Sequence, residues 1–164
     1  MEIEEFYDFG PWENALNSLK NKRIYVLEIG SSQGSTTSWI LNELFHNPDS
    51  KLFVLVFKNE NQNLRKKIDE TRKRDQIEII NSDNNNGPFE KLIGNDIDIT
   101  FDFIYVNEKF VLTDAMDLLK VGGIMIINKK VVVQQYITKF LQYKNYTIIE
   151  DNSNQLVLQN LKFK

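Results

Sequence analysis

Glu28, Gly30, Ser32 and Gly34 recur at two-residue intervals within the stretch 24–37, "IYVLEIGSSQGSTT". They stand between a β-branched apolar run and a segment of helical spacing. Glycine is needed where the backbone must turn tightly or let a ligand come close, because it has no Cβ. A helix that begins just past such a turn offers N–H groups without intrahelical partners, and Ser35 or Thr36 is placed to cap it. An acid, the small hydroxyls Ser31 and Ser32 and two glycines thus meet at one strand-to-helix turn. The dinucleotide fingerprint G-x-G-x-x-G fits less well, since its second and third glycines would fall on Ser32 and Ser35.

Other chemistry is limited by what the chain lacks. With no cysteine there are no disulfides, thiolate metal sites or cysteine nucleophiles, which suits a reducing compartment. The one histidine, His46, comes late in a helical pattern, where the helix dipole would favour its charged form. It is assigned a structural role, so no histidine general base is in view. Glu108, Asp83 and the Tyr105 hydroxyl remain as candidate bases, although strand alternation makes Tyr105 a core residue. A net charge of −3 gives no global electrostatic case for nucleic acid. Hydrophobic residues at 41% and charged residues at 26% describe a folded, soluble chain. No apolar run reaches the roughly 18–20 residues of a membrane span, and the start "MEIEEFYDFG" lacks a signal-peptide core. The expected location is the cytoplasm.

The elements that must position the turn alternate along the chain. "RIYVLEI", "KLFVLVF", "QIEII", "FDFIYV" and "GGIMIIN" are strand-like. Between and after them lie the helical patterns "TTSWILNELFH", "NQNLRKKIDETRKR", "FEKLIG", "VLTDAMDLLK" and "VVVQQYITKFLQY". Such alternation predicts a parallel sheet with helices on both faces. "YTIIED" and "NQLVLQN" close the chain across a short Asn/Ser turn, and a short turn requires antiparallel pairing. One domain over 1–164 is expected, with a helical segment over 1–23 and an α/β core over 24–160. In an open sheet of this kind, ligands bind beyond the carboxyl ends of the strands, where strand order reverses.

The order and spacing of these pieces resemble the class I S-adenosylmethionine-dependent methyltransferases. The turn resembles "LEIGSxxGxST" of their small-molecule O-methyltransferase-like subgroup. "FDFIYV", "LLKVGGIMIIN" and "FLQYKNYTIIE" followed by "QLVLQN" resemble the later strands and the closing hairpin. The resemblance implies a Rossmann-like doubly wound sheet of seven strands, order 3-2-1-4-5-7-6, with the last strand antiparallel. It implies S-adenosylmethionine as cofactor, held by Glu28, Gly30, Ser31, Ser32, Gly34, Lys58, Asp83 and Asn107. The acid would serve the cofactor's amino acid end, and Asp83 the adenine end.

The chain also departs from that pattern. Phe57 or Lys58 stands where the family has the acid that accepts bonds from the ribose, and a lysine has donors only. Asn107 and Phe110 replace the acid and histidine of the family's "IDGSH". Asn128 and Lys129 replace the paired acids after the fifth strand. Amides and an ammonium are poor divalent-metal ligands, so no metal site is expected. Two functions follow as expectations. One is a metal-independent methyltransferase, weak or inactive, acting on an unknown small-molecule or protein acceptor. The other is a non-catalytic module of the same fold, partner to an active subunit or to its own copy, with Lys58, Lys109, Lys129 and Lys130 forming a basic rim.

Overall fold

The computed structural model describes residues 9–31, 33–57, 62–81, 99–108, 112–142 and 145–161. In chain order the helices are α1 (Gly10–Leu16), α2 (Ser35–Trp39), α3 (Gln62–Thr71), α4 (Leu112–Asp117) and α5 (Gln134–Leu141). The strands are β1 (Tyr25–Ile29), β2 (Lys51–Val56), β3 (Ile77–Asn81), β4 (Phe101–Val106), β5 (Leu119–Asn128), β6 (Tyr146–Asp151) and β7 (Gln155–Asn160). The helix expected over "FEKLIG" lies outside the described residues.

All seven strands join one sheet in the order β3-β2-β1-β4-β5-β7-β6. β1 to β5 pair in parallel, and β7 is antiparallel to both β5 and β6. This is the order that the resemblance implies, and the antiparallel last strand is the one that the short closing turn requires. The central strands are apolar on both faces because both are covered, as parallel sheets require.

Strand alternation divides the core in two. Leu27, Ile29, Leu55, Ile104, Val106 and Ile127 face α4 and α5, which contribute Leu112, Met116, Ile137 and Phe140. Val26, Val54, Phe103, Tyr105 and Ile126 face the opposite layer, which contributes Trp12 and Leu16 from α1, and Leu64 and Ile68 from α3. Tyr105 is core, as its alternation predicts. Trp12 fastens α1 to this layer. Its ring meets those of Trp39, Phe103 and Tyr105, and its indole N–H donates to Gln155 Oε1 at 2.7 Å.

Two helices differ from their sequence patterns. The first crossover helix does not run to His46: α2 passes into a single π turn, Ile40–Leu44, whose Ile40, Leu41 and Leu44 are all buried. Phe45 then leaves helical geometry, and Lys73 Nζ donates to the carbonyls of Leu41 and Phe45, each at 2.8 Å. That ammonium satisfies acceptors which a helix end leaves open. His46 is exposed beyond this end, so the dipole argument does not apply to it. α5 begins at Gln134 rather than Val131. Val131 and Val132 both donate to the Asn128 carbonyl in a turn, and Val133 is extended, φ −65° and ψ 138°. Three successive β-branched residues resist helix formation, which explains the late start.

Candidate functional site

Strand order reverses between β1 and β4, since β2 lies on one side of β1 and β4 on the other. The ladder continues one residue beyond β1. Gly30 N donates to Leu55 O at 2.9 Å, and Asn107 N donates to Ile29 O at 2.8 Å. Past that point the chain must leave the sheet, and Gly30 does so with φ +80°. A Cβ there would stand 2.8 Å from the Asn107 carbonyl oxygen. Gly34 closes the turn with φ +86°, where a Cβ would lie 3.0 Å from Leu64 Cα. Both glycines are therefore required by this chain's own backbone, and together they bring the start of α2 back over the end of β1. The expected cap at Ser35 or Thr36 does not form. Gly34 is the N-cap and has no side chain to bond, while Ser35 Oγ accepts from Lys67 Nζ at 2.6 Å.

Beneath the turn sits an acid. Glu28 shares the Val26 face of β1, opposite Val54 on β2 and Tyr105 on β4, and is 1% exposed. Thr37, on the first turns of α2 and fully buried, places its hydroxyl 2.6 Å from Glu28 Oε1 and 3.0 Å from Oε2. Burial removes water from the carboxyl and raises its pKa from 4.5 to about 7, against the opposing pull of the Thr37 and Ser31 hydroxyls. Ser31 acts weakly, since its buried oxygen makes no well-aligned hydrogen bond to a protein group. A buried acid near neutrality and a weakly engaged buried hydroxyl are costly unless something uses them. They fit a ligand that brings a hydrogen-bonding, positively charged group to this turn.

The ends of β4 and β5 carry amides that bond each other. Asn128 Nδ2 donates to Asn107 Oδ1 at 2.9 Å, and Lys130 N donates to Asn128 Oδ1 at 3.0 Å. Asn107 Nδ2 reaches the Gly30 carbonyl at 3.4 Å. Three strand ends are thus laced by neutral side chains at the switch point. Lys129 turns away from them: its ammonium meets Asp151 Oδ1 at 2.6 Å and the Asn152 carbonyl at 2.8 Å, pinning the β6–β7 turn. It therefore adds no free positive charge to the rim. Asp102 is at the opposite end of β4, bonded to Lys120 and to the Tyr25 N–H. Glu108 follows β4, its Cβ beside Gly30.

Of the residues expected to hold a cofactor, Glu28, Gly30, Ser31, Gly34 and Asn107 come together at this switch point. Ser32, Lys58 and Asp83 lie outside the described residues, as do Lys109 and Phe110. Thr37 was not anticipated. The signal was present in the strand–turn–helix pattern, since a helix starting at Ser35 places its third residue back over the strand's last acid.

No family model matches the chain, and no curated protein matches it in sequence. Solved structures do match in fold. An O-methyltransferase from Bacillus cereus in complex with SAH superposes over 98% of this chain and 84% of its own, with a TM-score of 0.69 and 16% identity. The O-methyltransferase TomG from Streptomyces achromogenes in complex with SAM covers 94% and 79%, with a TM-score of 0.67 and 15% identity. A methyltransferase from Geobacter sulfurreducens covers 96% and 80%, with a TM-score of 0.66 and 13% identity. These superpositions run over nearly all of the chain at low identity: this chain, with its seven strands in the order β3-β2-β1-β4-β5-β7-β6, has the Rossmann-like fold of the class I S-adenosylmethionine-dependent methyltransferases.

Proposed function

We propose that this protein binds S-adenosylmethionine over the turn 30–34 and is a metal-independent, methyltransferase-like protein. One observation carries the proposal: the Glu28 carboxyl lies buried under a two-glycine turn at the switch point, with the weakly engaged Ser31 hydroxyl beside it. Ser31, Gly30 and the carbonyl end of β1 would meet the cofactor's amino acid end, with Glu28 beneath supplying negative charge. Ser32, Lys58, Asp83 and Asn107 complete the set carried over from the resemblance. When bound, the cofactor supplies an already activated methyl group, so the protein's part is to hold, orient and keep out water. Loss of rim carboxylates does not by itself abolish such a role. The acceptor would be a small molecule or another protein, and the cytoplasm the place of work.

A second reading is favoured by the Asn107–Asn128 bond, which spends on each other the two amides standing where related enzymes have acids. On it the fold is kept for binding, as partner to an active subunit or to a second copy. Two measurements separate the readings. Calorimetry with S-adenosylmethionine tests the cofactor site. Methyl transfer from labelled cofactor to candidate acceptors, followed with and without magnesium, tests turnover. Binding with turnover supports the enzyme, and binding without turnover supports the module. An absence of binding removes the cofactor from both.

A further inference from the structure

Glu28 is the buried acid of the site, and the hydroxyl of Ser31 acts on it from the turn, more weakly than that of Thr37 does from α2. At its register position β2 presents Val54 and β4 presents Tyr105, a phenol. Trp12 of α1 packs against that phenol ring. No ion pair among the described residues includes Glu28. α2 contributes the hydroxyl of Thr37, which is within hydrogen-bonding distance of both carboxylate oxygens.

A hydroxyl can serve this acid in either of its states. Toward a carboxylate, Thr37 donates. Toward the protonated acid it accepts, and its own proton is free to turn to another acceptor. Because α2 begins immediately after the turn, this contact also ties the helix start to the end of β1. The β-branched side chain divides between two rotamers in a helix, and the hydrogen bond to Glu28 selects one of them. The carboxylate cannot swing up to meet a ligand while both oxygens engage Thr37. It acts on the turn above it as a fixed charge, in a medium where charge carries far.

We infer that Thr37 is a positioning residue of the site: its hydroxyl locks the Glu28 carboxylate beneath the turn 30–34 and so sets how strongly the turn holds the cationic amino acid end of its ligand. This rests on the proposed S-adenosyl cofactor. A charge-assisted hydrogen bond to a carboxylate stabilises the ionised form. Without it Glu28 keeps its proton to higher pH, and a protonated acid no longer attracts an ammonium. Ligand binding below neutrality then expels one proton from Glu28 to solvent.

The test compares wild type with Thr37→Val and Thr37→Ser. The probes are S-adenosylhomocysteine, which has the amino acid end, and methylthioadenosine, which lacks it. In ligand-free protein the Glu28 carboxyl is followed by carbon NMR across pH 5–9, a readout that needs no cofactor. Thr37→Val should raise the titration midpoint by about one pH unit or more, and at pH 7 weaken S-adenosylhomocysteine by about tenfold. Methylthioadenosine affinity should stay within about twofold, whereas a merely structural defect would weaken both probes. Thr37→Ser should restore titration and affinity, and it provides the hydroxyl comparison if the valine variant folds poorly. Equal titration and equal affinity in wild type and Thr37→Val would overturn the role of Thr37 alone. Failure of wild type to bind either probe would overturn the cofactor assignment, and with it this inference.

Discussion

Replacing Glu28 by glutamine should flatten the pH dependence of stability that this one group imposes. In the unfolded chain the carboxyl ionises near 4.5, while burial holds the folded one to about 7. Between those values the native state keeps a proton that the unfolded state has lost, so stability falls as pH rises across that window. It levels off above about 7, where both states are ionised. At about 1.4 kcal/mol per pH unit, the interval corresponds to about 3 kcal/mol. Glutamine has nearly the same shape, has no proton to lose, and can bond Thr37 in either direction. Urea unfolding of wild type and Glu28→Gln at pH 5, 6, 7 and 8 is the assay, and the difference between the two curves cancels every other titrating group. Glu28→Gln should gain about 2–3 kcal/mol on wild type between pH 5 and 8, or roughly 4–12 °C in Tm for a chain of this length. Parallel curves would show that Glu28 ionises in the folded protein as it does in water, and would refute the burial argument.

Three other outcomes follow from the geometry. Gly30→Ala combines a left-handed φ with a Cβ 2.8 Å from the Asn107 carbonyl, so thermal unfolding should show a loss of at least about 2 kcal/mol. Trp12→Phe keeps the ring packing but removes the indole donor of the buried bond to Gln155 Oε1, and should cost about 1 kcal/mol in denaturant titrations. Magnesium, calcium and manganese should leave the wild-type Tm unchanged, whereas Asn107→Asp with Asn128→Asp should gain a saturable rise with added metal. A wild-type rise abolished by Asn107→Ala would place a metal at a rim assigned none.

The sheet was legible because its information is local and repeated. Five apolar β-branched runs separated by helical spacing leave few ways to build a covered parallel sheet, and a three-residue turn leaves one way to close it. The glycine turn was legible for the same reason, since Gly30 and Gly34 both carry positive φ. Side-chain pairing was not. Lys129 reads as a rim cation in sequence, yet Asp151, 22 residues on, claims it. Asn107 and Asn128 read as two lost ligands, and only the adjacency of β4 and β5 makes them partners. Ser35 and Thr36 read as caps because capping rules favour hydroxyls, while the left-handed Gly34 took that position and left Thr37 to the acid. The π turn before His46 answers to the packing of Ile40, Leu41 and Leu44, which no helix signal in the sequence encodes.

Calorimetric titration of S-adenosylhomocysteine into the wild-type protein at pH 6 and pH 8 tests the cofactor site most directly. Saturable one-to-one binding, tighter at pH 8 and abolished by Gly34→Asp, is the expected result, because that substitution forces a side chain against Leu64 at φ +86°. No heat of binding at either pH, or binding that Gly34→Asp leaves unchanged in a folded sample, would contradict a cofactor site over the turn 30–34.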